Sequence, residues 1–122
     1  MIKLKINNTS IEMPEGTSVL KAAESLGIKI PTMCFHEGYT NHPSCMLCLV
    51  KDAKTEKLHP SCALPVDNNM EIITDDDEIY EARKEALELL LSDHVGDCEA
   101  PCRPSCPAFM DIPLMNRLIA ES

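Results

Sequence analysis

Four cysteines between residues 34 and 62 have a spacing that suits metal binding. Cys34 is separated from Cys45 by ten residues, and Cys45 from Cys48 by two. Cys62 follows after thirteen more residues. Thiolates are metal ligands, and a close Cys-x2-Cys pair flanked by two more distant cysteines is typical of a metal site. The four residues are therefore predicted to form one metal or cluster site.

The order of these ligands favours a cluster of two irons and two sulfides (2Fe-2S). Plant-type spacing for such a cluster is C-x4-C-x2-C followed by a remote fourth cysteine. The first gap is longer in this chain, but the close middle pair and the remote fourth residue are shared. Two alternatives belong to other classes. One is a zinc-stabilised interaction module, and the other is a thiol redox enzyme using Cys45 and Cys48, which would leave Cys34 and Cys62 without a role.

Composition excludes several classes of protein. The seven cysteines are an odd number, so they cannot all pair as disulfides within the chain. The net charge is −9, and the eleven basic residues are scattered, so the basic patch of a nucleic-acid-binding protein is absent. There is no apolar run near eighteen residues and no secretion signal, so we expect no membrane span and a cytoplasmic location.

The first 30 residues predict a β-hairpin followed by a helix. Apolar and polar residues alternate over residues 2–6 and 11–13, on either side of the turn formers Asn7 and Asn8. Thr17 is the predicted N-cap of the helix, and Gly27 is placed to end it. A hairpin followed by a helix is the opening of a β-grasp fold.

Three further strands are predicted around the cysteines. Residues 46–50 form a strand that leaves the site, residues 58–62 return as a short strand, and residues 70–73 form a final strand that closes the sheet.

A change in composition at residue 74 indicates a second helix, at roughly residues 76–93. Thr74 and Asp77 have the spacing of a capping box, so Thr74 is the predicted N-cap. Apolar residues recur at helical spacing, and Leu89 and Leu91 widen the stripe, so the helix is expected to be covered on more than one side.

A second group of cysteines follows this helix. The spacing is H-x3-C-x3-C-x3-C-P, and the residues are His94, Cys98, Cys102 and Cys106. A cysteine followed by proline also ends the ligand run of bacterial four-iron clusters, so a 4Fe-4S cluster is predicted here with His94 as the fourth ligand. A Cys3His zinc site fits the same residues, and His94 is alternatively an ordinary histidine at a helix C-terminus.

Downstream of the second cysteine group, the apolar residues of 114–119 predict a short amphipathic helix. The apolar face of that helix has no evident partner. We therefore expect the chain to be the front end of a longer protein.

The first 75 residues resemble the 2Fe-2S ferredoxin domain at the front of the large NADH-dehydrogenase subunit and of related hydrogenase and formate dehydrogenase subunits. The motifs that carry the resemblance are Pro31–Cys34, Ser44–Val50 and Ser61–Val66. In that family the cysteines at these positions bind the cluster. Relatives often have Arg where this chain has Met46, a difference that removes no ligand.

The second cysteine group resembles two families. His94 and Cys98 match the start of an H-x3-C-x2-C-x5-C segment that binds a four-iron cluster in the same subunits. The run from Cys98 to Pro113 resembles the iron–sulfur segment of the glutamate synthase small subunit and of dihydropyrimidine dehydrogenase. That second resemblance implies an electron-entry module ahead of a flavin domain. No G-x-G-x-x-G nucleotide fingerprint occurs in these 122 residues.

The sequence as a whole predicts an α+β protein. Residues 1–75 form a β-grasp 2Fe-2S ferredoxin-like domain, and residues 76–122 form a helix and a cysteine-rich appendage, with a 4Fe-4S site that leads into a missing flavoprotein domain. The expected function is electron transfer to or from an NAD(P)H-linked flavoprotein or an iron–sulfur redox partner. The alternative is an iron–sulfur subunit of a hydrogenase or formate dehydrogenase complex. No catalysis is expected from this chain alone.

Overall fold

The computed structural model describes residues 1–92 and 103–122, in two compact units, Met1–Glu88 and Leu89–Ser122. The elements are, in chain order, β1 (Ile2–Ile6), β2 (Thr9–Met13), α1 (Val19–Ser25), β3 (Leu49–Asp52), β4 (Leu58–Pro60), β5 (Glu71–Ile73), α2 (Asp77–Ser92) and α3 (Ile112–Glu121). The five strands form one mixed sheet in the order β2-β1-β5-β3-β4. In these described ranges, no helix combines the length and apolar character needed to cross a membrane.

The predicted N-terminal hairpin is present. Strands β1 and β2 are antiparallel, with Leu4 opposite Ile11 and Ile6 opposite Thr9. Asn7 and Asn8 form the two-residue turn with φ of 48° and 67°. Asparagine tolerates this left-handed conformation better than most residues do, and two successive positive φ values match the right-handed twist of the flanking strands.

Strand β5 lies in the middle of the sheet, although it is the last strand in the sequence. It pairs with β1 in parallel, with Ile6 opposite Ile72, and with β3 in antiparallel, with Lys51 opposite Ile73. The N-terminal hairpin and the β3–β4 hairpin are therefore joined only through β5 among the described strands. The sequence predicted this strand but not its central position, because alternation of apolar residues does not report strand order.

Helix α1 begins one residue later than expected. Its N-cap is Ser18, whose Oγ accepts a hydrogen bond from the backbone N–H of Lys21 at 3.3 Å, and Thr17 is not the cap. The carbonyl oxygen of Thr17 instead accepts from the N–H of Val66, so Thr17 is held by a neighbouring segment. Gly27 ends the helix with φ of 75°, as predicted.

The core lies between α1 and the sheet. Apolar side chains from α1, the strands and two loop positions form one cluster of buried residues, namely Leu4, Ile6, Val19, Leu20, Ala22, Ala23, Ile30, Val50, Val66 and Ile72. Cys48 and Cys62 belong to the same cluster. Two of the predicted ligands are therefore part of the packed core.

The N-cap of α2 is Asp76, and the predicted capping box of Thr74 and Asp77 is wrong. The Oδ1 atom of Asp76 accepts from the N–H of Ile79 at 2.7 Å. Thr74 lies two residues before that cap, and its hydroxyl accepts from the side-chain amide of Asn7 at 2.6 Å. Thr74 therefore ties the end of β5 to the hairpin turn.

Arg83 connects α2 to the end of the sheet. Its Nη2 atom donates to the carbonyl oxygens of Leu49 at 2.6 Å and Thr74 at 2.8 Å, and its Nε atom donates to Leu49 at 3.1 Å. The register of β3 and β5 would place Asp75 opposite Leu49, but β5 has ended at Ile73. The Leu49 carbonyl oxygen therefore accepts its hydrogen bonds from the Arg83 guanidinium and not from the N–H group of a paired strand.

The apolar residues near the ends of α2 and α3 are largely exposed. In α2 the exposed fractions are 36% for Leu87, 67% for Leu89, 42% for Leu90 and 59% for Leu91, so the expected cover on more than one side is absent in the described structure. Helix α3 is present as predicted. Its N-cap is Asp111, and its exposed apolar residues are Leu114, Met115, Leu118 and Ile119.

The contacts of Asp76 predict a stability loss that depends on pH. The Asp76→Ala variant loses the cap of α2 and the ion pair with Lys51, which is 2.5 Å long. We expect a loss of about 1 kcal/mol in unfolding free energy at neutral pH for the cap alone. Thermal unfolding of the two proteins, followed by circular dichroism, measures the difference.

The sign of the pH dependence follows from the ion pair. Lys51 and the N–H of Ile79 hold the pKa of Asp76 below its usual value of 3.8. The stabilisation is therefore present above that value and is lost as the pH falls through the lower folded-state pKa. The difference in unfolding free energy between wild type and Asp76→Ala should therefore disappear at acid pH. Asp77→Ala, at an exposed position beside it, is the control, and an equal loss in that variant would contradict the assignment of the cap.

Candidate metal centre

The ends of strands β3 and β4 bring three of the four predicted ligands together. Cys45 and Cys48 lie just before β3, which begins at Leu49, and Cys62 lies two residues after the end of β4. These three side chains are buried, with exposed fractions of 5%, 2% and 5%. Cys34 comes from the loop between α1 and β3 and is partly exposed. All four are free thiols.

The four thiols approach one another as two pairs. The side chain of Cys45 acts on the Cys34 thiol, and the side chain of Cys48 acts on the Cys62 thiol. Cys34 and Cys62 are also close enough to interact electrostatically, which connects the two pairs. The four cysteines therefore lie near one another, at the boundary between the core and the loop.

The surroundings favour the thiolate at Cys34 and the thiol at Cys62. Backbone N–H groups of Cys45 and Ser44 point at the sulfur of Cys34 and lower its pKa to about 7. The Ser44 nitrogen lies 3.5 Å from that sulfur. Burial, with smaller contributions from the nearby sulfurs of Cys48 and Cys34, raises the pKa of the Cys62 thiol to about 11. Four thiolates that lie near one another repel, so a cationic group is needed among them to hold all four deprotonated.

The donor set fits a two-iron cluster better than a single metal ion. No set of three His, Cys, Asp or Glu side chains within residues 1–92 and 103–122 is grouped closely enough to hold one ion. A tetrahedral zinc ion needs four ligands around one point, with each sulfur about 2.3 Å from the metal. Two bridged irons accept two ligands each, which suits two pairs of thiols lying side by side.

Two residues in the loop shape the site. The sequence alone marks Met46 only as a difference from relatives and assigns no role to Asn41. Met46 has φ of 58°, a left-handed conformation that is unusual for a side chain of this kind and that turns the chain between Cys45 and Cys48. Asn41 donates from Nδ2 to the carbonyl oxygen of Cys62 at 2.9 Å. This bond fixes the loop against the strand end that carries the fourth ligand. The only available signal for Asn41 was an amide side chain in a loop rich in turn formers.

The second cysteine group is described only at its end. Cys106 is a partly exposed free thiol in a turn closed by the bond from the Phe109 N–H to the Cys106 carbonyl oxygen, 3.0 Å long. Backbone N–H groups of Met110 and Ala108, and then that of Phe109, lower the pKa of the Cys106 thiol. The other predicted residues of this group, His94, Cys98 and Cys102, lie outside the described residues.

Comparison with known families and proteins agrees with this site. Residues 1–77 match the family described as the 2Fe-2S iron-sulfur cluster binding domain. The chain is 42% identical over 98 residues to a subunit of the NADH-quinone oxidoreductase of Rickettsia felis, covering 80% of this chain and 15% of that protein. It is 40% identical over 103 residues to the NADP-reducing hydrogenase subunit HndD of Solidesulfovibrio fructosivorans, covering 80% of this chain and 18% of that protein.

Two further matches cover more of the chain than these two relatives do. A subunit of the NADH-quinone oxidoreductase of Rhizobium meliloti is 40% identical over 120 residues, covering 98% of this chain and 14% of that protein. A crystal structure of an NAD+-reducing [NiFe]-hydrogenase in the H2-reduced state matches with a TM-score of 0.65 and 29% identity, covering 86% of this chain and 42% of that chain.

These matches confirm the resemblance to NADH-dehydrogenase and hydrogenase subunits. This chain spans only 14–18% of the length of the three sequence relatives described above, so it corresponds to a small part of each. The family match covers the sheet, α1 and all four cysteines of the buried site. The chain therefore belongs to the family of 2Fe-2S iron-sulfur cluster binding domains.

Proposed function

We propose that this chain is an electron-transfer module in which Cys34, Cys45, Cys48 and Cys62 hold the 2Fe-2S cluster. The observation that carries the proposal is the proximity of these four free thiols, three of them buried and one partly exposed, with Cys45 acting on Cys34 and Cys48 acting on Cys62. The pairing suggests that Cys34 and Cys45 hold one iron and that Cys48 and Cys62 hold the other. When bound, the cluster supplies a one-electron couple, on the order of −400 mV for the plant type.

The protein controls access to the site through burial. Cys45, Cys48 and Cys62 are shielded from water, whereas Cys34 is partly exposed and its neighbour Met33 is 57% exposed. Electrons should therefore enter and leave on the Cys34 side, where a partner can approach without opening the core.

The proposal extends to fold and partners. The parallel pairing of β1 with β5 at the centre of the sheet supports the β-grasp class for residues 1–75, as does the helix that follows the first hairpin. Residues 76–122 are the helix and cysteine-rich segment that follow this domain. The expected partners are a flavoprotein or another iron–sulfur protein. Relatives are named as subunits of NADH-quinone oxidoreductase and of a hydrogenase, so a hydrogenase complex is the alternative setting. No catalysis is proposed for this chain alone.

Replacing a buried ligand should abolish the cluster signal. We expect anaerobically prepared wild-type chain to contain iron and acid-labile sulfide in equal amounts, and to give a two-iron paramagnetic resonance signal when reduced. Cys48→Ser and Cys62→Ser should lose that signal, because each removes one of two ligands to an iron. Cys106→Ser, at a cysteine outside this site, is the matched control and should keep it. Zinc without sulfide in the wild type, or a normal signal in both ligand variants, would refute the proposal.

We further propose that Cys106, with Cys98 and Cys102, holds a 4Fe-4S cluster for which His94 is the candidate fourth ligand. Support comes from the backbone N–H groups around the Cys106 sulfur, since such donors favour the thiolate that binds iron. The near-complete coverage by the Rhizobium meliloti relative also supports it, because that match includes this segment.

The second site is testable separately from the first. Replacing Cys98, Cys102 and Cys106 together by serine should remove a four-iron resonance signal and leave the two-iron signal unchanged. His94→Ala should weaken the four-iron signal alone if the histidine is a ligand. Wild-type protein that shows only the two-iron signal after reconstitution, or that binds zinc at this segment, would argue against the second cluster.

A further inference from the structure

The positive charge of Arg83 lies next to the backbone that carries Cys48. Its guanidinium donates two hydrogen bonds to the carbonyl oxygen of Leu49, the residue directly after Cys48. The same group donates to the carbonyl oxygen of Thr74 at 2.8 Å. With three bonds to two fixed backbone atoms, the side chain is restrained in one position, and its charge interacts with the Cys48 sulfur.

This charge is less neutralised than that of the other half-buried cation nearby. Lys51 is paired with Asp76 and Glu78, each at 2.5 Å. The hydrogen bonds of Arg83 to Leu49 and Thr74 go to carbonyl oxygens, which carry only partial charges. Asp75 and Asp76 act on Arg83 electrostatically, and Asp75 is exposed to water, which reduces its effect without removing it.

We propose that Arg83 is a positioning residue that raises the reduction potential of the cluster through its charge. The inference rests on the proposed function, because it requires the cluster to be bound by Cys48 and its three partners. Reduction transfers one electron from a donor, such as a reduced redox dye in a titration, and so adds one negative charge to the site. A fixed cation beside a buried ligand stabilises the reduced state more than the oxidised state, because attraction grows with the negative charge of the site.

The expected size of the effect of Arg83 on the reduction potential follows from the burial of Cys48. Cys48 is 2% exposed, so the interaction is weakly screened by water and salt. We expect removal of the charge to change the ratio of reduced to oxidised cluster by about tenfold at a fixed ambient potential. For a one-electron couple, a tenfold change corresponds to about 59 mV.

The test is a redox titration of the reconstituted 122-residue chain, followed by the resonance signal of the reduced cluster. Arg83→Gln should lower the midpoint potential by about 59 mV. Arg83→Lys keeps a positive charge but loses the planar guanidinium that donates to two carbonyl groups. This variant should unfold at a lower temperature than wild type and keep a midpoint potential close to that of wild type. Lys84→Gln removes the same charge from an exposed neighbour on α2 and should leave the potential unchanged.

The outcomes separate an electrostatic role from a purely structural one. If Arg83→Gln and Arg83→Lys both lower the unfolding temperature and neither shifts the potential, the proposal is overturned. If Arg83→Gln does not assemble a cluster, the midpoint potentials of the Asp75→Asn and Asp77→Asn variants test the proposal instead. Both remove one exposed carboxylate, but only Asp75 acts on Arg83, so only Asp75→Asn should raise the potential. Equal potentials in these two variants would also overturn the proposal. Wild-type protein without any two-iron signal would instead contradict the proposed function.

Discussion

The rest of the structure depends on the burial of sulfur atoms at one edge of the apolar core. Cys48 and Cys62 are members of the same cluster of buried residues as Leu20, Val50 and Val66. Thiol groups pack as small apolar side chains when protonated, but four charged thiolates at that position would repel one another and lose hydration. Folding of this domain and binding of the 2Fe-2S cluster are therefore coupled, because the bound irons supply the positive charge that the core lacks.

Hydrogen bonds at the ends of the strands position several of the residues discussed above. The sheet stops short on the side of β5, and the carbonyl groups of Leu49 and Thr74 take hydrogen bonds from Arg83. On the side of β4, the N–H of Ser61 bonds to the Cys48 carbonyl oxygen at 3.0 Å and so places Cys62 directly after the residue that pairs with Cys48. Backbone pairing thus positions two ligands of the site, and a side chain from α2 completes the hydrogen bonds that the strands leave open.

Much of this arrangement could be predicted from the sequence, because its signals are local. Alternating apolar residues revealed the hairpin, and the cysteine spacing pointed to four residues that lie near one another in the structure. Both helix caps were misplaced, at Thr17 instead of Ser18 and at Thr74 instead of Asp76. In each case several adjacent residues have side chains that can cap a helix, and tertiary hydrogen bonds decide which of them does so. The role of Arg83 could not be predicted, because it depends on where β5 ends relative to β3.

The central position of β5 has a consequence for how the chain acquires its structure. Pairing of Lys5 with Glu71 joins residues far apart in the sequence, and contacts of such long range form slowly. Until Ile73 has left the ribosome, the hairpin of β1 and β2 and the hairpin of β3 and β4 have no shared neighbour to hold them in one sheet. All four cysteines of the first site are synthesised before that moment. The thiols of the nascent chain are thus exposed to solvent before its interior closes around them.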